Sequence, residues 1–181
     1  MSATGLLLIG LVSVTVAAAL WRHAEAAGPV ITGHAVVVDG DSLRIGDDAI
    51  RLAGIDAPEL GQSCTGPDNV GWACGLEAKR QLAERIGDKP VSCRQIKIDL
   101  YDRIVAICTT ANGDDLSAAM ARSGYAVPDG SDPRYKAEET FARSAGAGMW
   151  SGSFQIPWEW RMHELERQDG CSSSAPWVAG A

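Results

Sequence analysis

The sequence predicts an α+β domain, a small five-stranded β-barrel carrying about three α-helices. Three observations predict it. Short β-branched runs separated by tight polar turns crowd the stretch 30–55. A second pair of such runs follows as a hairpin at 90–109. Amphipathic helical segments stand after the third and the fifth strand, the order of a small barrel of the OB type.

The elements follow in order. Val30 to Val38 is the first strand, and Asp39-Gly40-Asp41 turns the chain, with Gly40 permitting the tight reversal. Ser42 to Ile45 is the second strand. Gly46-Asp47-Asp48 leads into the third, Ala49 to Ile55. The stretch from Glu59 to Gly75 is a long irregular loop, which in a compact domain has either a function or a staple. Gly75 to Gly87 is a helix with Leu76, Leu82, Ala83 and Ile86 on its apolar face and Gly87 as its stop. Pro90 to Ile98 and Arg103 to Thr109 form the hairpin, with residue 98 facing 103. Asn112-Gly113-Asp114-Asp115 is a turn, and Asp115 or Asp114 caps a second helix through Ser123, which Gly124 ends. A third helix runs from near Pro133 through Phe141 and decays at Gly146-Ala147-Gly148.

After Trp150 the composition shifts, so 30–150 is the expected domain and 151–181 an extension that is partly disordered. Glu159 to Gln168 could add a short helix, and Cys171 to Ala181 is Ser/Ala/Gly-rich and loosely ordered. Trp158 and Trp160 are expected to pack against the third helix.

With 181 residues, 46% of them hydrophobic, the chain can bury a core. Its net charge of −7 argues against a tight, stoichiometric nucleic-acid binder, whose affinity comes from backbone neutralisation. A catalyst that releases its product needs only a local positive site.

Residues 1–26 read as a signal peptide or an uncleaved membrane anchor. An apolar run from Thr4 to Leu20 ends at Trp21-Arg22-His23, and Ala24-Glu25-Ala26 matches a small-x-small cleavage site. Either reading exports the remainder, to the periplasm or beyond the cell. Cysteine use agrees. Cys64 and Cys74 bracket the Gly/Pro/Asn-rich part of the long loop, while Cys93 and Cys108 face each other across the hairpin. Two disulfides are expected, with free thiol pairs as the alternative. Zinc is poorly served, because Cys-x-x-Cys pairs and nearby histidines are missing. Cys171 is left over. His23, His34 and His163 are scattered, and Ser42 and Ser63 lack the His–Asp context of a nucleophile.

The chemistry concentrates at the strand ends. Asp41, Asp56 and Glu59 are delivered toward one place, with Arg51 on the strand between them. Clustered carboxylates suit a hard cation with oxygen ligands, Ca²⁺ above all. A neighbouring arginine suits a phosphate, because its planar fork binds two oxygens at once. Turn propensity alone accounts for Asp47, Asp48 and Asp114.

Together, Asp39-Gly40-Asp41, Arg51-Leu52-Ala53-Gly54-Ile55-Asp56-Ala57-Pro58-Glu59 and Tyr101-Asp102-Arg103 resemble the signature of the staphylococcal nuclease family. The resemblance spans roughly Thr32 to Trp150. It implies an OB-fold phosphodiesterase that uses Ca²⁺ and takes DNA or RNA as substrate. It places Asp41, Asp56 and the Ala57 carbonyl as metal ligands, and Glu59 as the residue that positions or deprotonates the attacking water. Arg51 and Arg103 would hold the scissile phosphate, and Tyr101 would contact substrate. Departures are Asp102 where the family often has glycine, Leu100 where it often has lysine, and no tyrosines within Tyr125-Ala126-Val127-Pro128-Asp129-Gly130 beyond the first. A non-catalytic OB-fold binding module of the cell envelope is the alternative. It is weakened because Arg51, Glu59 and Arg103 are all present.

Overall fold

A computed structural model of the chain describes residues 28–130, 132–168 and 178–179. The leader at 1–26 and Cys171 lie outside the described residues, and among these no helix is long and apolar enough to cross a membrane. The strands of the first half are β1 (Val30–Gly33), β2 (Ala35–Val37), β3 (Ser42–Ile45), β4 (Asp48–Leu52), β5 (Ile55–Asp56), β6 (Cys64–Thr65) and β7 (Gly71–Trp72). Helix α1 (Cys74–Ile86), strands β8 (Val91–Ile98) and β9 (Ile104–Thr109), helix α2 (Leu116–Arg122) and strand β10 (Val127–Pro128) follow. The chain ends in α3 (Lys136–Ser144), a 3-10 turn (Gly148–Ser151), β11 (Ser153–Phe154), α4 (Pro157–Gln168) and β12 (Val178–Ala179).

Six strands form one mixed sheet in the order β1-β8-β9-β4-β3-β2. Its two edge strands are consecutive in sequence and separated only by His34. One bent strand therefore pairs with β8 at its start and with β3 at its end, and the sheet nearly closes into a barrel. This is the expected α+β OB architecture, with the predicted first strand divided at His34. The predicted third strand divides too: Ala53-Gly54 breaks it, and Ile55–Asp56 pairs instead with Val127–Pro128.

Alternation places the core. Leu43, Ile45, Ile50 and Leu52 point into the barrel, together with Ile55, Leu82, Leu116 and Met120. Arg51, between Ile50 and Leu52, therefore projects from the opposite face. On α1 the buried stripe is Cys74, Ala78, Leu82 and Ile86, one residue every fourth position. Leu76 and Ala83, expected on that face, are exposed, because a hundred degrees per residue carries them off the stripe. Gly40 is needed for space: a Cβ there would lie 2.7 Å from the Ala57 Cβ and 2.8 Å from the Ala78 Cβ. The turn that carries Asp41 is thus pressed against α1.

The hairpin turn differs by one residue from the expected pairing. Ile98 faces Ile104, and a bulge between Gln95 and Lys97 restores the register, so that Cys93 faces Cys108. Cys93–Cys108 and Cys64–Cys74 are both bonded, with Cα separations of 4.0 and 5.6 Å. Asp115 caps α2, its carboxylate accepting from Ala118 N at 3.1 Å. Helix α3 starts at Lys136, later than expected because Pro133 to Lys136 forms a turn, and runs through Phe141 to Ser144, just before the glycines.

A second buried cluster joins the extension to the domain. Cys64, Cys74, Val127, Ala142, Met149, Trp150 and Phe154 pack together, with Trp150 and Phe154 edge to face at 4.8 Å. Val178–Ala179, in the stretch expected to be loosely ordered, pairs with Phe154 and Ser153. The Cys64–Cys74 bridge fastens the long loop to α1 at this cluster. Replacing both cysteines with alanine is expected to cost ~2–3 kcal/mol at most, because the closed segment is short. Amide exchange should rise across 59–75 well before it rises in β3 or β4, and a uniform rise would contradict this.

Candidate active site

The turn after β2, the end of β4 and the end of β5 meet at one cluster. Asp41 and Asp56 are both buried, 3% and 6% exposed. Arg51 bridges them: Nη1 donates to Asp41 Oδ1 at 2.9 Å and Nη2 to Asp56 Oδ1 at 2.8 Å. Asp41 also accepts from Ser42 Oγ and, on Oδ2, from the Ala57 N–H, each at 2.9 Å. Ala57 therefore enters the cluster through its N–H as well as carrying the carbonyl expected to face a metal.

The charges in this pair move in one direction. Burial pushes the Asp41 carboxyl up, Arg51 and the Ala57 N–H oppose that, and Asp39 and Asp56 add to it, leaving it at about 7. Burial pulls the Arg51 guanidinium down, but Asp41 and Asp56 outweigh it, so Arg51 stays charged. Both partners move up because Arg51 faces two carboxylates whereas Asp41 has one guanidinium set against nearly complete burial. The cluster is short of positive charge.

Glu59 sits on the loop after β5 and is placed from below. Gly75 of α1 lies against it, since a Cβ there would be 1.7 Å from the Glu59 carbonyl oxygen. Gln62, fully buried, donates from its backbone N–H to the Glu59 carbonyl at 2.8 Å, and its side chain donates to the Gln155 carbonyl at 2.6 Å. Gln155 in turn is hydrogen-bonded to His163 Nδ1 at 2.9 Å. Helix α4 then contributes a cation. Arg161 Nη1 and Nη2 donate to Asp56 Oδ1 and Oδ2 at 3.0 and 3.1 Å, and Nη1 also reaches Glu59 Oε1 at 2.8 Å. Burial pulls this guanidinium down, while Asp56 and Glu59 more than restore it above its ordinary value.

Sequence reasoning missed Arg161 and Gln62. The block Pro157-Trp158-Glu159-Trp160-Arg161 marks a helix start with aromatic and cationic residues. Nothing in its spacing indicates partners a hundred residues upstream. The tip of the Trp160 ring lies at Gly61 of the Glu59 loop, 3.8 Å from where a Cβ there would stand.

Arg103 begins beyond the hairpin turn, and Asp99 accepts its Nε at 2.8 Å and its backbone N–H at 3.0 Å. Asp102, just before it, has φ of 58°, a conformation glycine adopts more cheaply. The exposed Tyr101 ring lies 5.4 Å from the Arg103 guanidinium. Arg51, Glu59, Tyr101, Arg103 and Arg161 together line a cavity of about 470 Å³. A second cavity, about 450 Å³, shares Arg51 and Arg161 with it, adds Asp56, and extends toward Lys136, Arg143 and Trp158. Every residue expected at the site is thus at the cluster or on the first cavity's wall.

Two carboxylates of the cluster offer oxygens of the kind a hard divalent cation takes, although among the described residues no three His, Cys, Asp or Glu side chains group closely enough to enclose one. Asp41 Oδ2 and Asp56 Oδ2 each accept a single hydrogen bond, which leaves an oxygen lone pair on both. Three carboxylates outnumber the two guanidiniums among them. Histidine and cysteine are absent from the cluster, which disfavours softer metals.

Comparison with known proteins agrees with this geometry. Residues 49–152 match the family described as Staphylococcal nuclease homologue. That span holds Arg51, Asp56, Ala57, Glu59, Tyr101 and Arg103, but neither Asp41 nor Arg161. The chain is 31% identical over 163 residues to the succinoglycan biosynthesis protein ExoI of Rhizobium meliloti (strain 1021), covering 88% of this chain and 85% of that one. It is 33% identical over 126 residues to the probable endonuclease LCL3 of Saccharomyces cerevisiae, covering 62% of this chain and 44% of the yeast protein. It is 31% identical over 125 residues to the probable staphylococcal-like nuclease CAN2 of Oryza sativa subsp. japonica, covering 66% of this chain and 31% of the rice protein. The chain thus spans less than half of these two nuclease relatives. From the matched span and the barrel that carries it, the chain belongs to the staphylococcal nuclease homologue family.

Proposed function

We propose that the protein is an exported, Ca²⁺-dependent nuclease that hydrolyses phosphodiester bonds of DNA and RNA and leaves 3′-phosphate ends. The observation that carries this reading is the convergence of Arg51, Glu59 and Arg103 on one cavity beside the paired Asp41 and Asp56. Asp41, Asp56 and the Ala57 carbonyl would hold the cation. Bound there, it would polarise a phosphate oxygen as a Lewis acid.

The chain's own groups do the remainder. Asp99 occupies Nε of Arg103, which leaves both Nη groups to donate to a phosphate oxygen pair. Arg51, already fixed by two carboxylates, adds charge on the other side and needs no reorganisation as negative charge grows. Glu59 lines the same cavity as the two arginines, where its carboxylate can accept a proton from water. The water oxygen bonds to phosphorus, the bond to the 5′ oxygen breaks, and that oxygen takes up a proton from solvent.

Both disulfides support an oxidising compartment, periplasmic or extracellular, as does the leader. A second reading is favoured by two observations. One broadly matching relative is named for succinoglycan biosynthesis, and Arg161 covers Asp56 and Glu59. A binding module of the envelope with a glycan ligand would have both properties, and fold does not fix function. A zymogram of the purified mature protein separates the two. Single-stranded DNA and RNA should be cleared with Ca²⁺ and spared with a chelator. Protein that binds Ca²⁺ yet clears neither would establish the binding module instead.

A further inference from the structure

We propose that Arg161 and the divalent cation are alternative partners of Asp56, so that helix α4 sets the metal affinity of the site. This rests on the metal-dependent reading given above.

Arg161 makes a two-pronged contact that takes an N–H to each Asp56 oxygen, and the same guanidinium holds Glu59. A cation ligated by Asp56 must displace at least one of those bonds. Charge favours complete exchange. With Asp41 ionised, as a metal ligand must be, Asp41, Asp56 and Glu59 against Arg51 and Arg161 leave one negative charge at the cluster. A divalent ion added to that set overcharges it by one, whereas the same ion with Arg161 withdrawn leaves it neutral. The like charges would also share one carboxylate, in a site where Asp56 is largely shielded from water.

Helix α4 is built to yield. Neither buried apolar cluster takes a residue from 157–168, and Trp158, Met162 and Leu165 are exposed. Arg161 and the His163–Gln155–Gln62 chain tie the helix to the site through polar contacts, with the Trp160 ring tip at Gly61 beside them. The Arg161 side chain is 38% exposed, so it can swing to solvent without opening the barrel. Asp41, by contrast, takes its hydrogen bonds from Ser42, Arg51 and Ala57 within the domain. The exchange is therefore confined to the outer side of the cluster, at Asp56 and Glu59.

The test is calorimetric titration of Ca²⁺ into the full mature chain, wild type against Arg161→Gln and Arg161→Lys, with amide exchange followed in parallel. Arg161→Gln should bind Ca²⁺ at least about ten-fold more tightly, and Arg161→Lys should fall between, since it keeps the charge and loses the fork. In the wild type, Ca²⁺ should speed exchange across 157–168 and slow it around 41 and 56. In Arg161→Gln, exchange of the helix should be fast with or without the ion. A merely structural tie would lower the melting temperature and leave Ca²⁺ affinity where it was. Unchanged or weaker affinity in both variants, or helix exchange blind to Ca²⁺, would overturn the proposal. If the wild type cleaves nucleic acid with Ca²⁺ while the variants bind it no tighter, this inference fails and the nuclease reading stands. If the variants tighten as expected and nothing is cleaved, the reverse holds.

Discussion

Replacing Arg103 with alanine is expected to lower kcat by ~10²–10³ while KM, fold and Ca²⁺ affinity change little. Loss of one preorganised charged donor at a developing negative charge typically has that cost. Arg103 reports this cleanly because among the described residues its ion pair is with Asp99 at the hairpin turn and not with Asp41 or Asp56. Arg51→Ala should reduce the rate as much, but it also strands two buried carboxylates that Arg51 now bridges. Breaking such a pair from one side is expected to cost about 3 kcal/mol of stability. Lysine at Arg103 should recover part of the rate, since one ammonium cannot reproduce the fork. Steady-state kinetics on a defined oligonucleotide, with thermal melts alongside, decide the matter. A kcat unchanged in Arg103→Ala would remove this arginine from the chemistry.

Loss of either aspartate should have the other large effect. Asp41→Ala or Asp56→Ala is expected to abolish most Ca²⁺ binding and nearly all hydrolysis while the barrel stays folded, because neither belongs to the buried apolar core. Asp41 also predicts a pH dependence. Its carboxyl stands at about 7 in the fold against 3.8 ordinarily. The fold therefore favours the protonated form, and the contribution is fully present below the unfolded value and lost as pH rises through about 7. With a chelator present, the wild type should melt lower at pH 8 than at pH 5, and Asp41→Ala should flatten that difference. Calorimetric Ca²⁺ titration and melting curves across pH test both parts. Equal metal affinity in wild type and both variants would move the site elsewhere.

Much of the barrel was legible in the chain. The strands Ser42–Ile45 and Ala49–Ile55 were placed with Arg51 on the second of them, whereas the face that Leu43, Ile45, Ile50 and Leu52 turn to the core came only with the structure. The α1 face was read only in part. Leu82 and Ile86 were placed on it correctly, while the stripe ran through Cys74 and Ala78 rather than Leu76 and Ala83. Small residues carry little weight in an apolar pattern, yet Ala78 is buried because Gly40 brings the Asp41 turn against it. The hairpin register was right at the cysteines and off by one at the turn, because a bulge leaves no sequence mark as plain as a glycine or proline.

What the sequence by itself determined is what short spacings control. Spacings of three to ten residues set the Asp115 cap and the grouping of Asp41, Arg51, Asp56 and Glu59 at neighbouring strand ends. Fifteen residues within one hairpin sufficed to oppose Cys93 and Cys108. Only the tertiary structure decided that Arg161 would lie on Asp56 and Glu59, 105 and 102 residues away, and that Gln62 would tie the Glu59 loop to Gln155, 93 residues on. The same packing decided how deeply Asp41 is buried and so how far its carboxyl is raised. Contacts of that separation depend on how whole elements stack, and desolvation depends on everything around a group; neither is encoded in the spacing of the residues that make the contact.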